Sequence, residues 1–154
     1  MNRIELVDFL WHCGLGRAHI EVSDADYSFP SEEWISGTFS KSWLTYNFSR
    51  GLEGYQPEKN DCEDFARRCA SYACDLHAGN TGQQTGLAFG EFYFTRDDGG
   101  GHAINCAVVA DERAAELHSA DHSAAPKLLF FEPQDGKVIS LTETERSSCR
   151  LLKI

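Results

Sequence analysis

The 154-residue chain has no apolar run long enough to cross a membrane. Its first eight residues, MNRIELVD, carry two acids and lack the basic start and unbroken apolar stretch of a signal peptide. The cytoplasm is therefore the default location, with non-classical export left open. Basic residues are scarce: 14 Lys and Arg stand against 24 Asp and Glu, a formal net charge of −10. That balance argues against a nucleic-acid partner, which draws on clustered Lys and Arg to neutralise phosphates. It suits solubility, a cationic partner or a metal ion. Six cysteines are present but no Cys-x-x-Cys pair, and without a signal peptide a disulfide framework is not expected. Cys69, Cys74 and Cys106 sit among apolar neighbours and read as small core side chains. The chain also lacks repeats, low-complexity tracts and any sign of a second domain.

What is present divides into a helical part and a strand-rich part. Ile4, Val7, Leu10 and Trp11 recur at helical spacing before Gly14. Residues 19–22 read as a short strand. Ser31 followed by Glu32 and Glu33 is a helix-start signal, and an apolar stripe with Trp34 and Trp43 runs on with a break near Gly37. Residues 49–59, with two glycines and Pro57, read as loop. From Cys62 to Ala78, Phe65, Cys69, Tyr72, Ala73 and Leu76 fall on one face, and Asp61 or Asn60 caps the start. Strands are then expected over 87–95, 102–110, 127–131, 137–141 and 150–154, the first two joined as a hairpin through Asp97-Asp98-Gly99-Gly100-Gly101. Residues 111–126 are a polar, Ala-rich excursion. The expected class is α+β: one domain over 1–154, with a helical and loop part (1–60), a helix at 61–79, and an antiparallel sheet (86–154).

Within this order Cys62, His102 and Glu132 form a thiol, an imidazole and a carboxylate on a helix start, a strand start and a strand end. A helix N-terminus and a nearby imidazolium both favour a thiolate. His102 would move the proton and Glu132 would orient it. Gln56, six residues before Cys62, could reach an oxyanion. Asp61, Glu63 and Asp64 crowd the thiol with negative charge, which disfavours a thiolate unless they turn away or hold a hard cation such as Ca²⁺. Taken singly, each residue is explained as a buried thiol, a turn histidine or a strand-end acid. His118 and His122 are four apart, but no third ligand completes a zinc set. Asp24, Asp26 and Tyr27 could line a pocket or bind a cation, although a polar strand end explains them as well.

The blocks Asp61-Cys62-Glu63-Asp64-Phe65-Ala66, Gly101-His102-Ala103-Ile104-Asn105 and Phe131-Glu132-Pro133-Gln134 resemble those of the papain-like domain of fungal agglutinins. That domain follows a lectin module in those proteins and is a calcium-dependent cysteine protease. The resemblance covers about 56–138 and shades into the bacterial transglutaminase-like cysteine proteinases. It implies a papain-like fold, Cys62 as nucleophile, His102 as general base and acid, Glu132 as its orienting partner and Gln134 in the pocket. Calcium on Glu63 and Asp64 and a peptide or protein substrate would follow. The β-trefoil lectin module has no counterpart in this length of chain, so the resemblance does not extend to sugar binding. The function expected on this basis is a thiol hydrolase of peptide or isopeptide amides. The alternatives are a non-catalytic acidic inhibitor on a degenerate scaffold and a cell-wall amidase.

Overall fold

The computed structural model describes residues 1–79, 84–110 and 125–154. Helix α1 (Arg3–Leu10) opens on Asn2, whose side chain accepts from Glu5 N while the Glu5 carboxylate accepts from Asn2 N. This reciprocal cap satisfies two otherwise free amide donors. A wider π turn (Trp11–Leu15) ends the helix at Gly14, whose φ of 89° places it in the left-handed region that glycine tolerates. Strand β1 (His19–Glu21) and the two-residue β2 (Tyr27–Ser28) follow. The single turn α2 (Glu32–Trp34) starts on Ser31, whose hydroxyl accepts from Trp34 N. A second π turn (Ile35–Phe39) contains Gly37 and leads into α3 (Ser40–Ser49).

Helix α4 (Cys62–Gly79) is the longest helix among the described residues. It buries Phe65, Ala66, Cys69 and Ala73, the stripe that its apolar spacing dictates. Strands β3 (Gly86–Leu87), β4 (Phe89–Thr95), β5 (Gly101–Ala110), β6 (Pro126–Glu132) and β7 (Lys137–Ile139) come next. A short helix α5 (Glu143–Ser147) and strand β8 (Leu151–Lys153) close the chain.

Among the described residues the main sheet runs β1-β8-β4-β5-β6-β7, and β2 pairs β3 beside it. The expected sheet over 86–154 was wholly antiparallel. The observed one is mixed, because β1 from the helical part enters at the edge and pairs parallel with β8. The pair β2–β3 is parallel as well. The segment 137–141 also differs from expectation. Its strand ends at Ile139, and α5 intervenes before β8 because Thr142 and Glu145 form a second capping box.

Strand alternation divides the core between the two faces of the sheet. Phe92, Phe94, Ile104, Cys106, Val108, Phe130 and Leu152 pack with Leu6 and Leu10 of α1. Phe89, Ala107, Val109, Leu129 and Phe131 pack on the other face with Phe39, Trp43, Phe65, Cys69 and Ala73. Trp43 is fully buried and donates its indole N–H to Pro133 O at 2.7 Å, joining α3 to the end of β6. Of the three cysteines read as core, Cys69 and Cys106 are buried and burial pushes both thiols well up. Cys74 is exposed, because it lies on α4 one step round from buried Ala73. No helix among the described residues is long and apolar enough to cross a membrane.

Candidate functional site

Strands β5 and β6 pair antiparallel with Cys106 opposite Phe130 and Asn105 opposite Phe131. Extending that register one step puts Glu132 opposite Ile104, a diagonal neighbour of His102 on the same face. The side chains meet there: His102 Nε2 lies 2.8 Å from Glu132 Oε2, with 8% and 17% of the two side chains exposed. A carboxylate only accepts, so Nε2 carries the proton. Glu132 Oε1 accepts from Gln134 N at 3.1 Å, which engages both carboxylate oxygens. The Phe94 ring stands 5.8 Å from the imidazole, edge to face. The other ring nitrogen, Nδ1, is enclosed without a hydrogen-bond partner among the described residues.

The pair forms one wall of an open cleft of about 550 Å³, which Arg96, Gln134, Ser140 and Glu145 also line. Most of these groups were not singled out by the sequence. Glu145 could have been, through the Thr142-x-x-Glu145 capping signal; Arg96 and Ser140 carry no local mark.

Cys62 begins α4 as a half-buried free thiol. Neither Cys62 nor Gln56 is among the residues lining the cleft that His102 and Glu132 share. Alternation along β5 sends successive side chains to opposite faces. His102 points to the side of Ile104 and Cys106, whereas Asn105 points to the α4 side and donates to Ala66 O at 2.8 Å and to Gly90 O at 3.0 Å. Asn105 is fully buried and is therefore the tie between β5 and the start of α4, a role its sequence position left unassigned. Gln56 is exposed, and its backbone exchanges hydrogen bonds with Asn60 at 2.9 and 2.8 Å.

The acids around Cys62 act locally. Asp61 Oδ1 accepts from Glu63 N at 3.2 Å, and Asp64 Oδ2 accepts from Asp61 N at 3.4 Å. These contacts cap the start of α4. Asp64 also stands 3.9 Å from Arg67. Among the described residues no three His, Cys, Asp or Glu side chains converge as a metal cage. His118 and His122 lie outside the described residues.

No family model and no curated protein matches the chain. Solved structures do. A structure of PSL1a in complex with E64 shares 19% identity at a TM-score of 0.71, over 100% of this chain and 50% of that one. Polyporus squamosus lectin bound to the human-type influenza-binding epitope Neu5Aca2-6Galb1-4GlcNAc shares 18% at a TM-score of 0.61, over 95% and 48%. The chain thus spans about half the length of these structures. Such identities carry the fold and not the activity. They nevertheless correct the expected assignment: the neighbour named by its function is a lectin. The papain-like cysteine-hydrolase family, its enzyme class and its peptide substrate are accordingly withdrawn, as are the inhibitor and amidase alternatives. The chain has an α+β fold with a mixed sheet, shared with one half of a lectin-type protein.

Proposed function

We propose that the chain is a carbohydrate-recognising domain whose ligand lies in the cleft beside His102 and Glu132. The observation that carries this reading is the lining of that cleft. Arg96, Gln134, Ser140 and Glu145 offer donors and acceptors, while Ile139 and Leu141 offer apolar surface. A sugar presents hydroxyls and C–H faces that match such a mixture, and about 550 Å³ is within the ordinary range for a small-ligand site. The fold shared with a lectin, one structure of which holds a sialylated trisaccharide, supports the same ligand class. In this reading the His102–Glu132 hydrogen bond is a positioning device that fixes the wall of the cleft. Cys62 and Gln56 stand outside the ligand's contacts.

Calorimetric titration with Neu5Aca2-6Galb1-4GlcNAc and with neutral Galb1-4GlcNAc tests the proposal. Binding of either, weakened about tenfold in Gln134→Ala through loss of about 1.4 kcal/mol, is the expected result. No heat at millimolar sugar, or equal affinity in Gln134→Ala, would overturn it.

A further inference from the structure

The charges around the cleft beside His102 differ in how they are satisfied. Its acids are taken up by the chain itself. Glu132 accepts from His102 through one oxygen and from Gln134 N through the other. Asp135 accepts from Lys137 N at 3.1 Å and from Lys137 Nζ at 2.7 Å. Glu145 closes the cap of α5 by accepting from Thr142 N at 3.1 Å. Two more acids follow Arg96 in the β4–β5 turn, and they too have partners. Thr142 Oγ1 donates toward Asp97 Oδ2 at 3.2 Å, and Asp98 Oδ1 accepts from Gly100 N at 2.8 Å. Arg96 is the exception. It lines the same cleft, yet among the described residues no hydrogen bond or ion pair engages its guanidinium. We propose that Arg96 sets the charge of the ligand, and that the cleft takes an acidic saccharide whose carboxylate pairs with this guanidinium. The inference rests on the carbohydrate reading above and names the class of sugar.

The hairpin places Arg96 for this role. Its N donates to Gly100 O at 2.9 Å and its O accepts from Gly99 N at 2.9 Å, with Gly99 at a φ of 85°. Both backbone groups of Arg96 are thereby fixed. Phe94, two residues earlier, holds its ring 5.8 Å from that of His102, and strand parity sends Arg96 to the same side. The Thr142–Asp97 contact ties the start of α5 to the turn, so Arg96 and Glu145 wall the cleft from two linked elements.

A guanidinium offers its N–H donors in a planar fork that matches the two oxygens of a carboxylate. A sugar hydroxyl offers that fork a single neutral oxygen. The unpaired cation therefore discriminates between a carboxylated sugar and its neutral counterpart. The acids nearby do not cancel this preference. A carboxylate on Arg96 meets it at hydrogen-bond distance, whereas the engaged acids stand farther off in an open, solvent-screened cleft. They disfavour an anion placed elsewhere along the wall, which orients the sugar.

Uronic and sialic acids both supply the carboxylate, and the test separates them. Calorimetric titration of the full chain would use Neu5Aca2-6Galb1-4GlcNAc, a disaccharide ending in glucuronic acid, and the methyl ester of each, which keeps the sugar and removes the charge. At least one acid should bind about tenfold tighter than its ester, as a charge-assisted two-point contact gives, and the acid that does so identifies the source. That ratio should fall toward one in Arg96→Gln, persist in part in Arg96→Lys, and shrink as salt is raised. Arg50→Gln, at the end of α3, should leave it intact. Equal binding of acid and ester by the wild type, or a ratio that survives Arg96→Gln, would overturn the proposal. Neutral Galb1-4GlcNAc keeps the two readings apart. If it and the esters bind, weakened in Gln134→Ala, with no preference for the acids, the charge assignment alone fails. If no sugar binds, both fail.

Discussion

The tie through Asn105 is the most exacting test of how α4 is held on the sheet. Its amide makes two N–H···O contacts, to Ala66 O and Gly90 O, in a fully buried position. Its Oδ1 is buried without a partner. In Asn105→Ala the two hydrogen bonds contribute a loss of about 1 kcal/mol each, and the void adds about 1 kcal/mol. Deleting the unpartnered Oδ1 returns about 1 kcal/mol, so the net cost is about 2 kcal/mol. Asn105→Asp should be far worse at neutral pH and no worse than Asn105→Ala in acid. The introduced carboxyl would face two carbonyl oxygens, so only its protonated form fits. Holding it protonated at pH 7 against an unfolded pKa of about 3.9 costs about 4 kcal/mol. One lost hydrogen bond adds about 1 kcal/mol.

The sign follows from proton counting. The folded pKa is raised, so the folded state binds more protons and stability falls as pH rises above about 4. Urea unfolding of both variants against wild type at pH 7 and pH 4.5 reads this directly. Asn105→Asp should be about 5 kcal/mol destabilised at pH 7, enough to unfold a marginal domain, and about 2 kcal/mol at pH 4.5. If it is no worse than Asn105→Ala at pH 7, or if the gap does not close in acid, the amide does not bridge α4 to β4 and β5.

Three further outcomes are expected. Trp43→Phe removes the indole donor from Pro133 O and should cost about 1–3 kcal/mol, read as a fall of several degrees in Tm. Burial pushes the Cys149 thiol up to about 12, above the ordinary 9.0 of a thiol. Between those pH values the unfolded chain loses a proton that the folded chain keeps, so stability falls as pH rises, and Cys149→Ala should flatten that limb. Brief iodoacetamide treatment followed by peptide mapping should label Cys74 and Cys62 in the native protein. Cys69, Cys106 and Cys149, all buried, should react only after unfolding, and early labelling of Cys106 would contradict the packing of β5.

The features legible in the sequence are those written within one element. Helix α4 could be read from its apolar stripe and the acids at its start, and β4–β5 from the Asp97–Gly101 turn between aromatic and apolar runs. The approach of His102 to Glu132 was also accessible, since both lie at the matching ends of neighbouring strands. Pairings made at a distance were not. Strand β1 is three residues long, only half-buried at Ile20, and meets β8 more than 130 positions later, so nothing local announces a parallel edge.

The grouping of Cys62 with His102 and Glu132 rested on chain order, element type and resemblance, while strand parity is a separate signal. His102 and Asn105 are an odd number of residues apart, so a regular strand must present them to opposite faces. Ala107 and Val109 mark the α4 face of β5 by their packing, in step with Asn105. A helix seated on that face is met by Asn105 at Ala66, while His102 turns with Ile104 and Cys106 toward the other side. Counting residues from the helix-facing positions of β5 therefore assigns Asn105 to the contact with α4 and His102 to the side where it meets Glu132.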